Sequence, residues 1–465
     1  MTMNLNNPIL DQMKVHFECM EPISLHVPGH HYNTIGHLNK LKFKYDVTEI
    51  EGMDDYHHPE SIILESEKNL SRNDLYKSKY LVGGTTSGIL SAILGVLNTH
   101  QYEDAHCIAI MRNAHKSIIN AINIAKSNAY ILPTNISEAT NEYSGIDLSK
   151  INYDILKNIT VVVLTYPNYF GETYPINEVI DFFRARNIIT IIDEAHGAHF
   201  DISPTFPSSS INYGADIIVQ SYHKTLPAFT MSSVMHIRKD NPYIEDIWGM
   251  CSMLQSSSPS YMLMLGLEHA HQFYLAYDDC LFSYRRQELI KTFRARGFQV
   301  IMPSDPLKLM IAHQELSGFQ VAELLSQHHI YTELSNAKFT LIVLPLWHNE
   351  DSYPFNMLLE RIKQLKIKDS DLKHIVVNDT NILINKNSSD GVMNYRMQSS
   401  SKNWIPLSQS EGYFSVQPIV PYPPGIPLIM QGEEIKKAVI EGLAKYISNG
   451  GKVHGIREGS ILVYQ

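Results

Sequence analysis

A lysine and an aspartate, each at the end of an apolar run, are the residues of this chain best suited to chemistry. Lys224 lies in Ser221-Tyr222-His223-Lys224-Thr225, just after Ile217-Ile218-Val219. Asp193 closes the run Ile188 to Ile192 and opens Asp193-Glu194-Ala195-His196. An amine can form a Schiff base with an aldehyde, and a buried carboxylate calls for a cation beside it. Together they are the two groups that pyridoxal 5'-phosphate (PLP) requires, one for its aldehyde and one for its pyridine nitrogen. Asp193 also falls where open α/β sheets place ligands, beyond the carboxyl ends of the strands. A single lysine after a strand is ordinarily a solvated loop residue, so the reading rests on several such groups occurring in order.

Upstream, Gly83-Gly84-Thr85-Thr86-Ser87-Gly88-Ile89 turns from a strand candidate into the helix-like stretch Ile89–Leu97. Such a turn aims backbone N–H groups at one point, and the hydroxyls of Thr86 and Ser87 add donors for a phosphate dianion. The same residues also make an ordinary hydroxyl cap after a glycine turn. No Gly-Lys-Ser/Thr follows, which excludes a nucleotide P-loop. His115, in Arg112-Asn113-Ala114-His115-Lys116-Ser117, follows another strand candidate and could lie flat on a cofactor ring; alone it reads as a surface-loop histidine. Ser221 and His223 flank Lys224 at positions that reach back toward a phosphate. His196 and His199 follow Asp193 and could orient the carboxylate or the cofactor. Asp193, His196 and His199 also admit a metal reading, but no HExxH and no matched Cys/His set accompanies them, so no metal is expected.

These groups need rigid elements to bring them together. From Tyr80 onward, short β-branched runs alternate with helix-length segments: Tyr80–Gly83, Cys107–Met111, Tyr130–Pro133, Thr160–Tyr166, Ile188–Asp193, Asp216–Ser221 and Ser233–Ile237. Continuous apolar runs of this length suit strands covered on both faces. The expected fold class is therefore α/β, with a mainly parallel sheet of about seven strands in a large domain. One helix from Pro259 through Tyr284 to Arg296 is expected to lead into a smaller α+β domain. That domain has strands at Gly297–Met302 and Phe339–Leu344 and helices at Gly318–Gln327 and Phe355–Leu365. Residues 385–410 are polar and rich in Ser and Asn, and read as an exposed connection. The expected division is an N-terminal segment 1–45, a large cofactor-binding domain 46–285, a small domain 286–390 and a C-terminal extension 391–465.

Composition narrows the function classes. The formal net charge is −10 with no dense Lys/Arg block, which argues against nucleic acid as partner. The 4 cysteines are scattered without a CxxC, as suits a reduced compartment. No basic region followed by an apolar stretch opens the chain, and no apolar run approaches the ~20 residues of a membrane helix. A cytoplasmic protein with no membrane partner is expected.

The ordered set of motifs resembles the Orn/Lys/Arg decarboxylase family of fold type I PLP enzymes. The blocks that carry the resemblance are His26-Val-Pro-Gly-His30, Glu49 to Asp55, Gly84-Thr-Thr-Ser-Gly88, Asn113-Ala-His-Lys-Ser117, Thr165-Tyr-Pro-Asn-Tyr-Phe-Gly171, Asp193-Glu-Ala-His-Gly-Ala-His199, Gln220-Ser-Tyr-His-Lys-Thr-Leu-Pro227 and Pro421-Tyr-Pro-Pro-Gly-Ile-Pro427. The resemblance implies that Lys224 carries PLP, Asp193 pairs with its pyridine nitrogen and His115 stacks on its ring. It places His196 near the ring on the Asp193 side, and Thr86, Ser87, Ser221 and His223 around the phosphate. Lys224 and His223 become the candidates for returning a proton to Cα. The implied reaction is decarboxylation of a basic amino acid, arginine or lysine with ornithine open, to an amine and carbon dioxide, feeding polyamine production. The family builds its site at a homodimer interface, so residues 1–45 are expected near both, in a homodimer or homotetramer. Long members carry an N-terminal receiver-like wing domain, and a first block at residue 26 implies a short form without it. Fold alone does not choose the reaction, so transamination, C–S lysis and a non-catalytic PLP-binding role stay open. An aminotransferase would want an arginine for the α-carboxylate, and Arg361, Arg396 and Arg457 are available.

Overall fold

The β-branched runs of the first half do form a central sheet. The protein is described here by a computed structural model covering residues 8–98, 107–367, 390–393, 401–422, 427–448 and 452–465. In chain order the strands are β1 (Tyr76–Leu81), β2 (Cys107–Ile110), β3 (Asn128–Ile131), β4 (Ile159–Thr165), β5 (Ile189–Asp193), β6 (Ile217–Gln220) and β7 (Ser233–Arg238). Their spatial order is β3-β2-β4-β5-β6-β7-β1, and Gly391–Met393 adds an eighth strand outside β3. The pairs from β3 to β6 are parallel, whereas β7 runs antiparallel to both β6 and β1. All four residues of β6 are buried, as expected of a strand covered on both faces. The expected mainly parallel sheet is therefore present.

The sheet aims its strand ends at one edge, where helices begin. Helix α1 (Gly84–Asn98) opens directly on the Gly-Gly-Thr-Thr turn, and α2 (Lys116–Ala125) starts just after His115. A single turn, α3 (Tyr222–Thr225), carries Lys224 beyond β6.

Two sequence expectations need correction. The long helix expected over 259–296 is two helices, α4 (Tyr261–Ala276) and α5 (Cys280–Ala295). Tyr277 is extended at the break, and the Asp278 carboxylate accepts the Cys280 N–H at 2.9 Å, starting the second helix. Residues within the expected exposed connection also join the folded body. Gly391–Met393 pairs antiparallel with β3 and buries Met393, and Lys402–Pro406 pairs with Ser460–Tyr464. Low hydropathy hid these strands because each is short or lies at an edge. The part of the Pro-rich block at 423–426 lies outside the described residues, as does much of 385–410.

After α5 comes a four-stranded antiparallel sheet ordered β8-β9-β11-β10, with β8 (Gln299–Ile301), β9 (Lys308–Ala312), β10 (Leu334–Ser335) and β11 (Phe339–Val343). Helices Gly318–Ser326 and Phe355–Gln364 accompany it, close to their expected bounds.

A buried ion pair fastens the C-terminal part to the large sheet. Arg112, just beyond β2, donates to both oxygens of Glu433 at 2.8 and 3.1 Å and to the Leu428 carbonyl at 3.2 Å. Both side chains are almost wholly buried. Removing one member of such a pair leaves an uncompensated charge, which costs about 3–5 kcal/mol. Glu433→Ala should therefore lower stability by about that amount, read as a shift in the urea unfolding midpoint. Glu433→Gln, which keeps an acceptor, should lose less.

Candidate functional site

Asp193 ends β5 and Lys224 sits one turn beyond β6, the adjacent parallel strand. The register pairs Asp193 with Val219 on one side and with Thr165 of β4 on the other. Two groups distant in sequence therefore share one edge of the sheet. His196 meets the lysine there: Lys224 Nζ donates to His196 Nε2 at 3.1 Å. Burial lowers the Lys224 amine below its usual value, against the opposing pull of Asp193 and Glu333. Burial also drives His196 well below the usual imidazole range, and the Lys224 and Lys308 amines push the same way. A neutral His196 is thus the acceptor for the lysine, while its buried Nδ1 finds no partner among the described residues.

Asp193 is 6% exposed, and among the described residues its carboxylate accepts one hydrogen bond, from the Ala195 N–H at 3.3 Å. A buried carboxylate so sparsely served has capacity for a cationic partner. His115 caps α2, accepting from the Ser117 N–H at 3.2 Å and pairing through the same Nδ1 with the Ser117 hydroxyl at 2.8 Å. These bonds fix the edge of the ring, while part of the residue stays open to solvent. Burial lowers its pKa; Asp193 opposes the shift and Lys224 adds to it, which places His115 in the same electrostatic neighbourhood as the other two.

The expected phosphate group assembles in part. Ser221 pairs through its hydroxyl with Thr85, and Thr85 pairs with Ser233 at 2.9 Å. Thr85 was overlooked in sequence because its neighbours Thr86 and Ser87 present the same chemistry. Thr86 is exposed in the first turn of α1, and Ser87 donates to the Gly84 carbonyl at 2.8 Å. The first-turn N–H groups of α1 lie beside this hydroxyl cluster, as an anion site would require. His223 shares its Nδ1 with the Ser232 carbonyl at 2.9 Å. His199 is turned away from Asp193 toward Asp305, 2.9 Å from its Oδ1, so the three residues of the metal reading do not converge.

Two contributors were not singled out as site residues in the sequence. Glu333, between strand Ile330–Thr332 and β10, accepts from the Tyr169 hydroxyl at 2.5 Å and from the Val27 N–H at 2.9 Å. It joins three distant chain segments within Coulombic reach of Lys224. Gly29, in the His26–His30 block, donates its N–H to the His223 carbonyl at 2.8 Å. A Cβ on Gly29 would lie 2.7 Å from the Thr225 carbonyl carbon and 2.8 Å from the Leu226 oxygen, so the N-terminal loop lies backbone to backbone against the turn that holds Lys224.

A lysine amine, an under-served buried acid, a histidine with its ring edge fixed and a hydroxyl-lined helix start fit the groups of PLP in kind. Lys224 would hold its aldehyde, Asp193 its ring nitrogen, and the α1 start with Thr85 and Ser221 its phosphate.

Comparisons with known proteins identify the family and the fold. Residues 8–296 match the sequence profile described as Orn/Lys/Arg decarboxylase, major domain, and 386–453 that of the C-terminal domain. The uncharacterized protein YaaO of Bacillus subtilis is 32% identical over 95% of both chains. An arginine decarboxylase of the same organism is 23% identical over 98% of this chain and 96% of its own. Among solved structures, the lysine decarboxylase LdcF of Francisella novicida superposes with a TM-score of 0.70 at 19% identity, covering 94% of this chain and 78% of that one. The constitutive lysine decarboxylase of E. coli gives 0.66 at 18% identity, covering 99% and 82%. The fold is that of these fold type I enzymes, and the chain belongs to the Orn/Lys/Arg decarboxylase family.

Proposed function

We propose that the protein is a PLP-dependent decarboxylase of a basic amino acid, arginine or lysine, with ornithine as the next candidate, releasing an amine and carbon dioxide. The observation that carries this reading is the pairing of Lys224 and Asp193 at the ends of adjacent strands, with His196 on the lysine amine at 3.1 Å. When bound, PLP supplies an electron sink for the pair left as the Cα–carboxylate bond breaks. Asp193 keeps a proton on the ring nitrogen, and His115 offers its ring for stacking. Lys224, with a lowered pKa and a neutral histidine as neighbour, is suited to exchange protons at Nζ and to return one to Cα. His223 stays a second donor, its Nδ1 held by Ser232. Glu333 is the carboxylate we assign to the cationic end of the substrate, since it faces the Lys224 amine from the small domain.

Two of the three arginines named for a transaminase are engaged elsewhere. Arg361 donates to the Glu21 carbonyl at 2.8 Å, Arg457 lies over the Trp404 ring, and Arg396 lies outside the described residues. A homodimer or homotetramer working in the cytoplasm on polyamine precursors completes the reading. Among the described residues no helix is long and apolar enough to cross a membrane.

Incubating the PLP-loaded protein separately with arginine, lysine and ornithine should yield agmatine, cadaverine or putrescine with carbon dioxide from one of them. Keto acid formation without carbon dioxide would replace this reading with transamination. Lys224→Ala should abolish both turnover and borohydride trapping of PLP, and retained turnover would remove Lys224 from its role. Gly29→Ala should displace the Lys224 turn and cut kcat/KM by roughly tenfold to a hundredfold, because sub-ångström misplacement of a reacting group is costly.

A further inference from the structure

A second lysine lies behind the first. Lys308 begins β9 with 1% of its surface exposed, and a lysine so deeply buried is rare without a partner or a task. Its Nζ donates to the Tyr169 carbonyl at 2.9 Å, reaching from the small sheet to the loop after β4. Asp305 stands beside it, with Oδ1 accepting from the Leu307 N–H at 3.0 Å and 2.9 Å from His199 Nε2, while its backbone N–H donates to the Gly171 carbonyl at 2.9 Å. Gly171 has a φ of +85°, and a Cβ there would lie 2.9 Å from Lys308 Cδ and 3.0 Å from Asp305 Cβ. The loop from Tyr166 to Gly171 is therefore fitted against Asp305 and Lys308 at both ends of its last turn. Tyr169 passes the constraint on: its ring lies 4.5 Å from that of His196, centroid to centroid, and its hydroxyl holds Glu333.

We propose that Lys308 is a positioning residue for Lys224, clamping the Tyr166–Gly171 loop so that Tyr169 and His196 stay seated against the reactive amine. The proposal rests on the reading of Lys224 as the cofactor lysine. Lys308 does not touch the reacting atoms and acts through the loop and through its charge. Burial lowers its pKa to about 8, opposed by Asp305 and Glu333 and deepened by Lys224, so it is a cation below that pH. Among the described residues, the charged or titratable groups facing this cluster are Lys224, Asp193, Glu333, Asp305, Arg286, Tyr169, His115, His196, His199 and His223. Lys308 and Lys224 lie within Coulombic reach of each other, so the Lys308 charge disfavours protonation of the Lys224 nitrogen, and removing it should raise that nitrogen's proton affinity.

The test compares holoenzymes carrying Lys308→Met, which loses donor and charge, and Lys308→Gln, which keeps an N–H donor without charge. In Lys308→Met, amide hydrogen exchange at 169–171 should accelerate and kcat should fall roughly tenfold or more, with a smaller change in KM. The pH midpoint of the Schiff-base absorbance should rise by roughly one unit in both variants. Lys308→Gln should recover much of the loop's exchange protection. Unchanged exchange in Lys308→Met, or an unshifted midpoint in Lys308→Gln, overturns the proposal. Borohydride trapping of PLP on Lys224 should persist in both variants; its absence from the unsubstituted protein would instead sink the cofactor reading itself.

Discussion

A desolvated amine held among opposing charges governs this site. Burial alone disfavours the ammonium form of Lys224, while Asp193 and Glu333 favour it. Of the two carboxylates that oppose burial, Asp193 pulls harder than Glu333. The balance leaves the amine below its ordinary range. His196 takes part as a neutral acceptor because the same burial, together with the nearby amines, keeps it unprotonated. Each of these shifts depends on keeping water out.

The dryness is made by chain segments far apart in sequence. Gly29 brings the N-terminal loop onto the backbone of the lysine turn. Val27 and Tyr169 both donate to Glu333, which arrives from the small domain. Asp305 and Lys308 close the far side through the Gly171 turn. The large sheet supplies the strand ends, yet the surroundings that set the charge balance come from both sides of it. Such division explains why one fold can host many reactions: the sheet stays fixed and the lid of loops decides.

The sheet and its strand-end residues were legible in the sequence because their signals are local. Runs such as Ile188–Ile192 and Ile217–Val219 announce buried strands, and a polar residue closing such a run marks a strand end. Lys224, Asp193, His115 and Ser221 were found in this way. Glu333 and Lys308 were not, since a lone Glu between two short strands, or a Lys opening one, looks the same whether solvated or buried; only tertiary packing tells them apart. Thr85 was masked by Thr86 and Ser87, and only the helix phase shows which hydroxyl faces Ser221. The break between α4 and α5 was missed for a similar reason, because the apolar pattern continues across Tyr277 while its backbone does not. Gly391–Met393 was too short and too polar in context to read as a strand.

That last strand has a consequence for how the molecule is made. β3 would otherwise be the open margin of the sheet, with a row of unpaired amides and carbonyls able to recruit a neighbouring chain. The segment that seals it is translated long after β3 itself. The β3 edge therefore lacks its cover until residues 391–393 have emerged, and this late-made segment then shields one of the sheet's two margins from pairing with other chains.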